Sequence, residues 1–358
     1  MGSLVVIGAG AVGAVQALRA AEAGHDVTFL VRPGKADALR GTGLTVLGWP
    51  GREDAGVVIA PDGSGARVSE DPSCVAEADH VALAVPSNAT KAVAASLAEH
   101  LRPGTPVISW QNGVDNARWL AEALGDGTPV VGAIVLYNAV RLEDGVFRYT
   151  IPNAVVYDVA DREHLPAGLD VDHATVTQPV RFVRDLLAVQ WAKLLVNLAN
   201  GPLALVPMGY AEAFADPDFR ACGRMTLREG LEVVRGAGIE PEKLGDIDPR
   251  KILLFLRLPS FLVPLLRPLL PPIDPDARPS TAQMLLRGVP TEVDHLNGRI
   301  AALAAQSGRA APVNQRLVEL VRAEENKPRA ERRQWTPARL RAELAQVCGG
   351  RIPTGRRA

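Results

Sequence analysis

The sequence predicts an α/β N-terminal domain built on a parallel sheet, followed by an all-α C-terminal domain. Three observations predict it. Over residues 4–31 an apolar run, a glycine-rich turn, a helical stretch and a second apolar run follow one another. Short apolar runs then alternate with helical stretches as far as residue 135, the rhythm of a parallel sheet covered on both faces. From Phe182 onward the apolar pattern is helical. We divide the 358 residues into 1–179, 180–326 and a C-terminal segment, 327–358.

The first apolar run is Leu4-Val5-Val6-Ile7, followed directly by Gly8-Ala9-Gly10-Ala11-Val12-Gly13. Ala11 to Ala23 reads as a helix closed by Gly24, and Asp26 to Val31 as the second strand. Strand, GxGxxG and helix in this order form the dinucleotide-binding turn of a Rossmann domain. Gly8 permits the tight turn, Gly10 admits a pyrophosphate close to the backbone, and Gly13 lets helix and strand pack. The N–H groups at the helix start then face the phosphates. Gly8, Ala9, Gly10, Ala11, Val12 and Gly13 are therefore candidate cofactor-binding residues.

The end of the second strand sets the cofactor type. An acidic residue there would accept from a ribose 2'-hydroxyl. Here the chain reads Val31-Arg32-Pro33-Gly34-Lys35. The planar fork of Arg32 suits a 2'-phosphate, which favours NADP(H); alternatively Arg32 is a solvated strand-end residue. Further strands are expected at 80–85, 106–109 and 130–135, with a helix over 88–99. Gln111-Asn112-Gly113 closes one of these strands at the carboxyl end, where such sheets bind ligands. Asn112 is a candidate contact for both nicotinamide and substrate, with a simple Asn-Gly turn as the alternative.

Leu186 to Ala199 reads as a helix whose only polar residues are Gln190, Lys193 and Asn197. Spacings of three and four place them on one face, and Asn200 continues the row. A helix apolar nearly all round is buried, so Lys193 is a candidate proton donor. Desolvation lowers a Lys pKa toward neutrality. The alternative is a long side chain snorkelling out of a core helix. After Pro290, Val293, Leu296, Ile300 and Leu303 form a second helical stripe. Wheel arithmetic puts Glu292 at its edge, with Asp294 and His295 toward solvent. Glu292 either reaches a partly buried site or complements the helix dipole.

These pieces together resemble the ketopantoate reductase (2-dehydropantoate 2-reductase) family over roughly residues 3 to 320. The resemblance rests on GAGAVG at 8–13, Arg32, QNG at 111–113, WAKLLVN at 191–197, Ser280 and TEVDHLNG at 291–298. It implies a Rossmann domain followed by a helical domain, and NADPH-dependent reduction of a 2-oxo acid. It further implies Lys193 as general acid, Glu292 and Ser280 in contact with substrate, and Asn112 and Asn197 completing the hydrogen bonding. The chain departs from the family at several positions. A Lys frequent after the third strand is replaced by Pro86-Ser87, and Lys91 lies one turn too far along. A second Asn four residues after Asn197 is Gly201, with Asn200 one position earlier. An Asn near Met208-Gly209 is missing, and an Asp four residues after the Ser is Met284. Polar groups that recognise a small acid discriminate strongly. The chemistry is therefore expected to be more conserved than the substrate.

Three functions follow in order: a 2-oxo acid reductase with ketopantoate as leading substrate; an opine- or imine-forming or bulkier-carbonyl dehydrogenase; and a non-catalytic NADP(H) sensor. No metal site is expected, because Cys74, Cys222 and Cys348 are far apart and odd in number. They suit a reducing, cytoplasmic setting, and Met1 to Ile7 lacks the basic start of a signal peptide. Residues 194–211 and 252–273 are apolar but interrupted by polar residues, prolines or Arg257 and Arg267. They read as core helices rather than membrane spans. A net charge of −1 and 4% aromatic residues argue against nucleic acid and anionic membranes as partners.

Seven of the 28 prolines fall in 259–279, which suggests a broken loop or lid. Alternatively, the Leu-rich run before it packs in a homodimer interface. The net charge hides a division: residues 327–358 hold nine Lys or Arg against two Glu, or +7, leaving −8 elsewhere. We expect a solvated basic tail docked by Trp335, or alternatively an arm toward a partner subunit or anion.

Overall fold

A computed structural model describes residues 2–49, 66–151, 153–170, 179–243, 248–259, 262–263 and 279–348. The chain divides into two units, 1–186 and 187–358.

Unit 1 carries strands β1 (Ser3–Ile7), β2 (Asp26–Leu30), β3 (Thr45–Leu47), β4 (Arg67–Ser69), β5 (His80–Leu83), β6 (Val107–Ser109), β7 (Val130–Val135), β8 (Asn138–Glu143), β9 (Val146–Ile151), β10 (Val155–Asp158) and β11 (Val180–Val183). Its helices are α1 (Ala11–Glu22), α2 (Ala36–Thr42), α3 (Thr90–His100) and α4 (Asn116–Leu124). The larger sheet runs β11-β10-β7-β6-β5-β1-β2-β4. It is parallel except where β10 meets β7 antiparallel.

Strand alternation divides the apolar residues between two faces. Leu4 and Val6 join Ala14, Val15, Leu18 and Phe29 on the α1 side. Val5 and Ile7 join Val81, Leu83, Leu97 and Leu120 on the α3–α4 side. A second sheet, β3-β9-β8, adds Val46, Phe147 and Tyr149 to the α1 side. Tyr149 lies there between Trp49 and Tyr137, with ring centroids 5.3 and 5.4 Å away.

The boundary expected at 179/180 moves to 186/187. The cause is local: Val180–Val183 is not helical but pairs in parallel with β10, so it belongs to the sheet.

Unit 2 is helical: α5 (Leu186–Asn197, beginning at the boundary), α6 (Asn200–Leu205), α7 (Tyr210–Ala215), α8 (Pro217–Gly236), α9 (Pro249–Phe255), α10 (Ser280–Leu286), α11 (Asn297–Gln306), α12 (Pro312–Glu325) and α13 (Pro337–Val347). Asp216 caps α8 through the Phe219 N–H at 2.8 Å, with Pro217 at the first helical position. Glu229, inside α8, accepts from the first free N–H groups of α12, Val313 at 2.9 Å and Asn314 at 2.8 Å.

Over 327–348 the basic segment is docked through Trp335 as expected, but it is a packed helix rather than a solvated tail. Thr336 caps α13, and Leu340 and Leu344, one turn apart, are fully buried with Trp335 against Phe219, Leu317 and Val321. Several of its charges are paired: Arg341 with Asp218 at 2.5 Å, Arg316 with Glu343 at 2.5 Å, and Lys327 with Glu324 at 3.1 Å. A charge count conceals this apolar stripe. Residues 349–358 lie outside the described residues, as does the proline-rich loop apart from Pro259, Leu262, Val263 and Pro279. Among the described residues no helix is long and apolar enough to cross a membrane.

Candidate active site

In unit 1 the glycine turn is shaped for close approach. Gly8 has φ +104°, which favours glycine. A Cβ on Gly13 would lie 2.1 Å from the Gly8 carbonyl oxygen, so the helix start and the turn touch backbone to backbone. A Cβ on Gly10 would meet nothing within 4 Å. Gly10 is also the N-cap of α1, and no side chain caps that helix. Its first N–H groups and the open face of Gly10 fit a diphosphate. Arg32 is exposed just past β2. The loop that follows is fixed by Glu70, which accepts from the N–H groups of Lys35 at 2.8 Å and Ala36 at 2.7 Å. These bonds hold the Glu70 carboxyl below its usual pKa. Sequence reasoning passed over Glu70, because 34 residues separate it from the turn it holds.

Asn112 is half-buried, and Gly113 after it has φ +104°. The turn named as the alternative reading is therefore present, with the Asn112 side chain partly accessible beside it. Lys91 does not stand in for the family Lys: its ammonium lies 5.1 Å from the Trp119 ring centroid, a cation–π contact on the α3–α4 side.

In unit 2, Lys193 and Asn197 lie one turn apart on α5, both half-buried. Burial lowers the Lys193 ammonium from its ordinary 10.5 to about 8, and the negative charge of Glu292 acts in the opposite sense. Glu292 is 7% exposed, so the buried carboxylate expected near a partly buried site is coupled to this Lys. Its local structure differs from expectation. Glu292 precedes a 3-10 turn, Val293–His295, and Leu296 (φ −107°, ψ −88°) breaks the chain before α11 begins at Asn297. Asp294 and His295 are half-buried rather than fully solvated, and Asp294 pairs with Arg322 at 2.7 Å.

Glu292→Gln removes the charge that supports the Lys193 ammonium. The Lys193 pKa then falls below about 8. The alkaline limb of any activity needing protonated Lys193 moves to lower pH, by roughly one unit. A kcat–pH profile of the variant checks this.

The row expected on one helix face is interrupted. α5 ends at Asn197, residues 198–199 form a turn, and Asn200 opens α6. Asn200 is 8% exposed and accepts from the Tyr210 hydroxyl at 3.4 Å. Gly201 has no room for a side chain: a Cβ would lie 2.6 Å from Asn297 Oδ1. Asn297 is fully buried and donates to the Leu198 carbonyl at 3.3 Å and to Asn314 Oδ1 at 2.9 Å. Tyr210 and Asn297 shape this row, yet neither was singled out from the sequence, since their partners lie 10 and about 100 residues away. Ser280 is exposed at the start of α10. Among the described residues no group of three or more His, Cys, Asp or Glu is placed to hold a metal ion.

Two family models match the chain, Ketopantoate reductase PanE/ApbA over residues 4–161 and Ketopantoate reductase PanE/ApbA C terminal over residues 185–325. The chain belongs to the ketopantoate reductase family. A 2-dehydropantoate 2-reductase of Pyrococcus abyssi is 26% identical over 326 residues, covering 90% of this chain and 97% of that one. One of Halobacterium salinarum is 29% identical over 295 residues, covering 78% and 90%. The crystal structure of a ketopantoate reductase from Ralstonia eutropha is 29% identical, with TM-score 0.73, covering 90% of this chain and 98% of that chain. D-mandelate dehydrogenase with NADH and anilino(oxo)acetate shares the fold, at 17% identity and TM-score 0.71, with 90% and 98% covered. As a member of the ketopantoate reductase family, the protein is an oxidoreductase of the 2-dehydropantoate 2-reductase type. The C-terminal family model ends at residue 325, before α13.

Proposed function

We propose that the protein reduces a 2-oxo acid with NADPH, ketopantoate being the leading substrate. The observation that carries this is Lys193: a half-buried ammonium lowered to about 8 and coupled to buried Glu292. When bound, the nicotinamide supplies a hydride to the carbonyl carbon. Negative charge develops on the carbonyl oxygen, and Lys193 Nζ stabilises it and transfers its proton there. Asn197, one turn along α5, orients substrate or ammonium. Glu292 accepts from a substrate hydroxyl or from the Lys193 ammonium. Asn112, Asn200 and Ser280 contribute further hydrogen bonds to substrate, and Asn112 also faces the nicotinamide. The turn from Gly8 through Ala9, Gly10, Ala11 and Val12 to Gly13 holds the diphosphate.

Arg32 beyond β2 supports NADP(H) over NAD(H), since a guanidinium pairs with a 2'-phosphate. Arg32→Ala is expected to raise the KM for NADPH by about tenfold, roughly the worth of one exposed charge-assisted contact. KM for NADH changes little. Initial rates with both cofactors check this.

A second reading, a bulkier or less polar 2-oxo acid, is favoured by one observation. Gly201 is plugged by Asn297, so the second family Asn cannot be accommodated there without moving a buried amide. Met284 likewise stands where the family often has an acid. NADPH oxidation against a panel of 2-oxo acids, with and without amines, decides between these readings. Activity on ketopantoate supports the first, activity only on larger acids the second, and activity only with amine present an opine- or imine-forming enzyme. No NADPH oxidation with any 2-oxo acid would overturn the proposal.

A further inference from the structure

At and just past the carboxyl ends of β5 and β6, five uncharged polar side chains are buried together. Ser87, Thr90, Ser109, Gln111 and Asn116 are 2, 0, 3, 6 and 4% exposed. Ser109 Oγ donates to Gln111 Oε1 at 3.0 Å. Gln111 Nε2 donates to the Val85 carbonyl at 3.0 Å and to Thr90 Oγ1 at 2.7 Å. Thr90 Oγ1 donates to Asn116 Oδ1 at 2.8 Å. Asn116 Nδ2 then donates to Ser87 Oγ at 3.1 Å and to the Asn112 carbonyl at 2.6 Å. Ser87 Oγ donates to the same carbonyl at 2.9 Å.

Every hydroxyl proton in this chain has one acceptor, so the bonds have one consistent direction. Buried polar groups are costly unless paired, and a fully paired network is rigid. The bonds converge on a single atom, the Asn112 carbonyl oxygen. Two donors saturate it and lock the peptide that leads into Gly113, whose φ is +104°. The Asn112 side chain projects from that locked peptide and remains half-buried.

We propose that Asn116, Thr90 and Ser87 are positioning residues for Asn112. By gripping its backbone carbonyl they aim its side-chain amide and set how the nicotinamide settles at this strand end. The proposal rests on the reductase reading above. A misplacement of about 1 Å in a positioned group costs about 10²-fold in rate, so small relaxations of this loop are visible in turnover.

Thr90→Val keeps the shape and removes the hydroxyl link to Asn116 and Gln111. It is expected to lower kcat by at least about tenfold, with the Kd for NADPH nearly unchanged. The primary isotope effect with nicotinamide-deuterated NADPH increases, as hydride transfer becomes the slow step. Thr90→Ser, which restores the hydroxyl, recovers most of kcat. Ser87→Ala, a milder change should Thr90→Val fold poorly, shows the same pattern at smaller amplitude. An unchanged isotope effect in both Thr90→Val and Ser87→Ala overturns the proposal, including where kcat falls only in step with the melting temperature. If the unmodified protein reduces no 2-oxo acid, it is the functional reading that fails. The nicotinamide emission of bound NADPH then tests the positioning by itself: a difference between the unmodified protein and Thr90→Val supports it, and identical emission overturns it.

Discussion

Lys193→Met is expected to lower kcat on the preferred 2-oxo acid by about 10²–10⁴-fold, the usual worth of a positioned general acid together with charge stabilisation. Substrate KM changes far less, because the lost interaction belongs to the transition state. The same substitution is expected to raise stability. In the folded chain the Lys193 ammonium is held at about 8 against an ordinary 10.5. The folded state therefore disfavours the protonated form. The resulting cost is fully present below about pH 8 and is released as pH rises toward 10.5. Met fills similar space without the charge and removes a cost of roughly 2–3 kcal/mol at neutral pH. Steady-state kinetics and a denaturant melt on one preparation check both signs. A variant that is inactive yet more stable excludes misfolding as the cause of inactivity. For the unmodified enzyme, reduction requires the protonated amine, so kcat falls as pH rises through about 8.

Gly10→Ala and Gly13→Ala are expected to fail in opposite ways. At Gly10 the added methyl meets nothing within 4 Å. The protein folds, but the methyl stands where a diphosphate must approach α1, and NADPH affinity falls by about 10²-fold or more. At Gly13 the methyl would lie 2.1 Å from the Gly8 carbonyl oxygen. Helix and turn must separate, which lowers the stability of unit 1 by about 1–3 kcal/mol as overpacking does. NADPH fluorescence titration and thermal melts of both variants separate these outcomes. A Gly10→Ala protein that binds NADPH normally would remove the glycine turn from the cofactor site.

What could be read from the sequence was local. The glycine turn and α1 are specified within about twenty residues, and the polar face of α5 within one helix. That Lys193 and Asn197 share one face follows from spacing alone, whereas their roles come from the family resemblance. Glu292 was found for its type and its edge position, but the 3-10 turn and the break at Leu296 follow no wheel periodicity. Of the grip on Asn112, only the Asn116 bond is local, four residues away; the bonds that complete it join groups separated by 21 to 29 residues. It exists only because β5 and β6 end side by side. The β3-β9-β8 sheet escaped notice because Thr45–Leu47 is short and finds its parallel partner about a hundred residues later. In the basic segment Trp335 marks the docking point, whereas Leu340 and Leu344 are too few among many cations to stand out as a helical stripe.

The docking of α13 bears on how the protein is made. Residues 187–325 emerge from the ribosome with Phe219, Leu317 and Val321 still missing their partners Trp335, Leu340 and Leu344. During that interval these side chains of the growing chain lack their apolar cover. Unit 2 closes over them once residues through 344 have left the exit tunnel. Nascent unit 1, whose strands and helices among the described residues are complete by Val183, can already be folded by then.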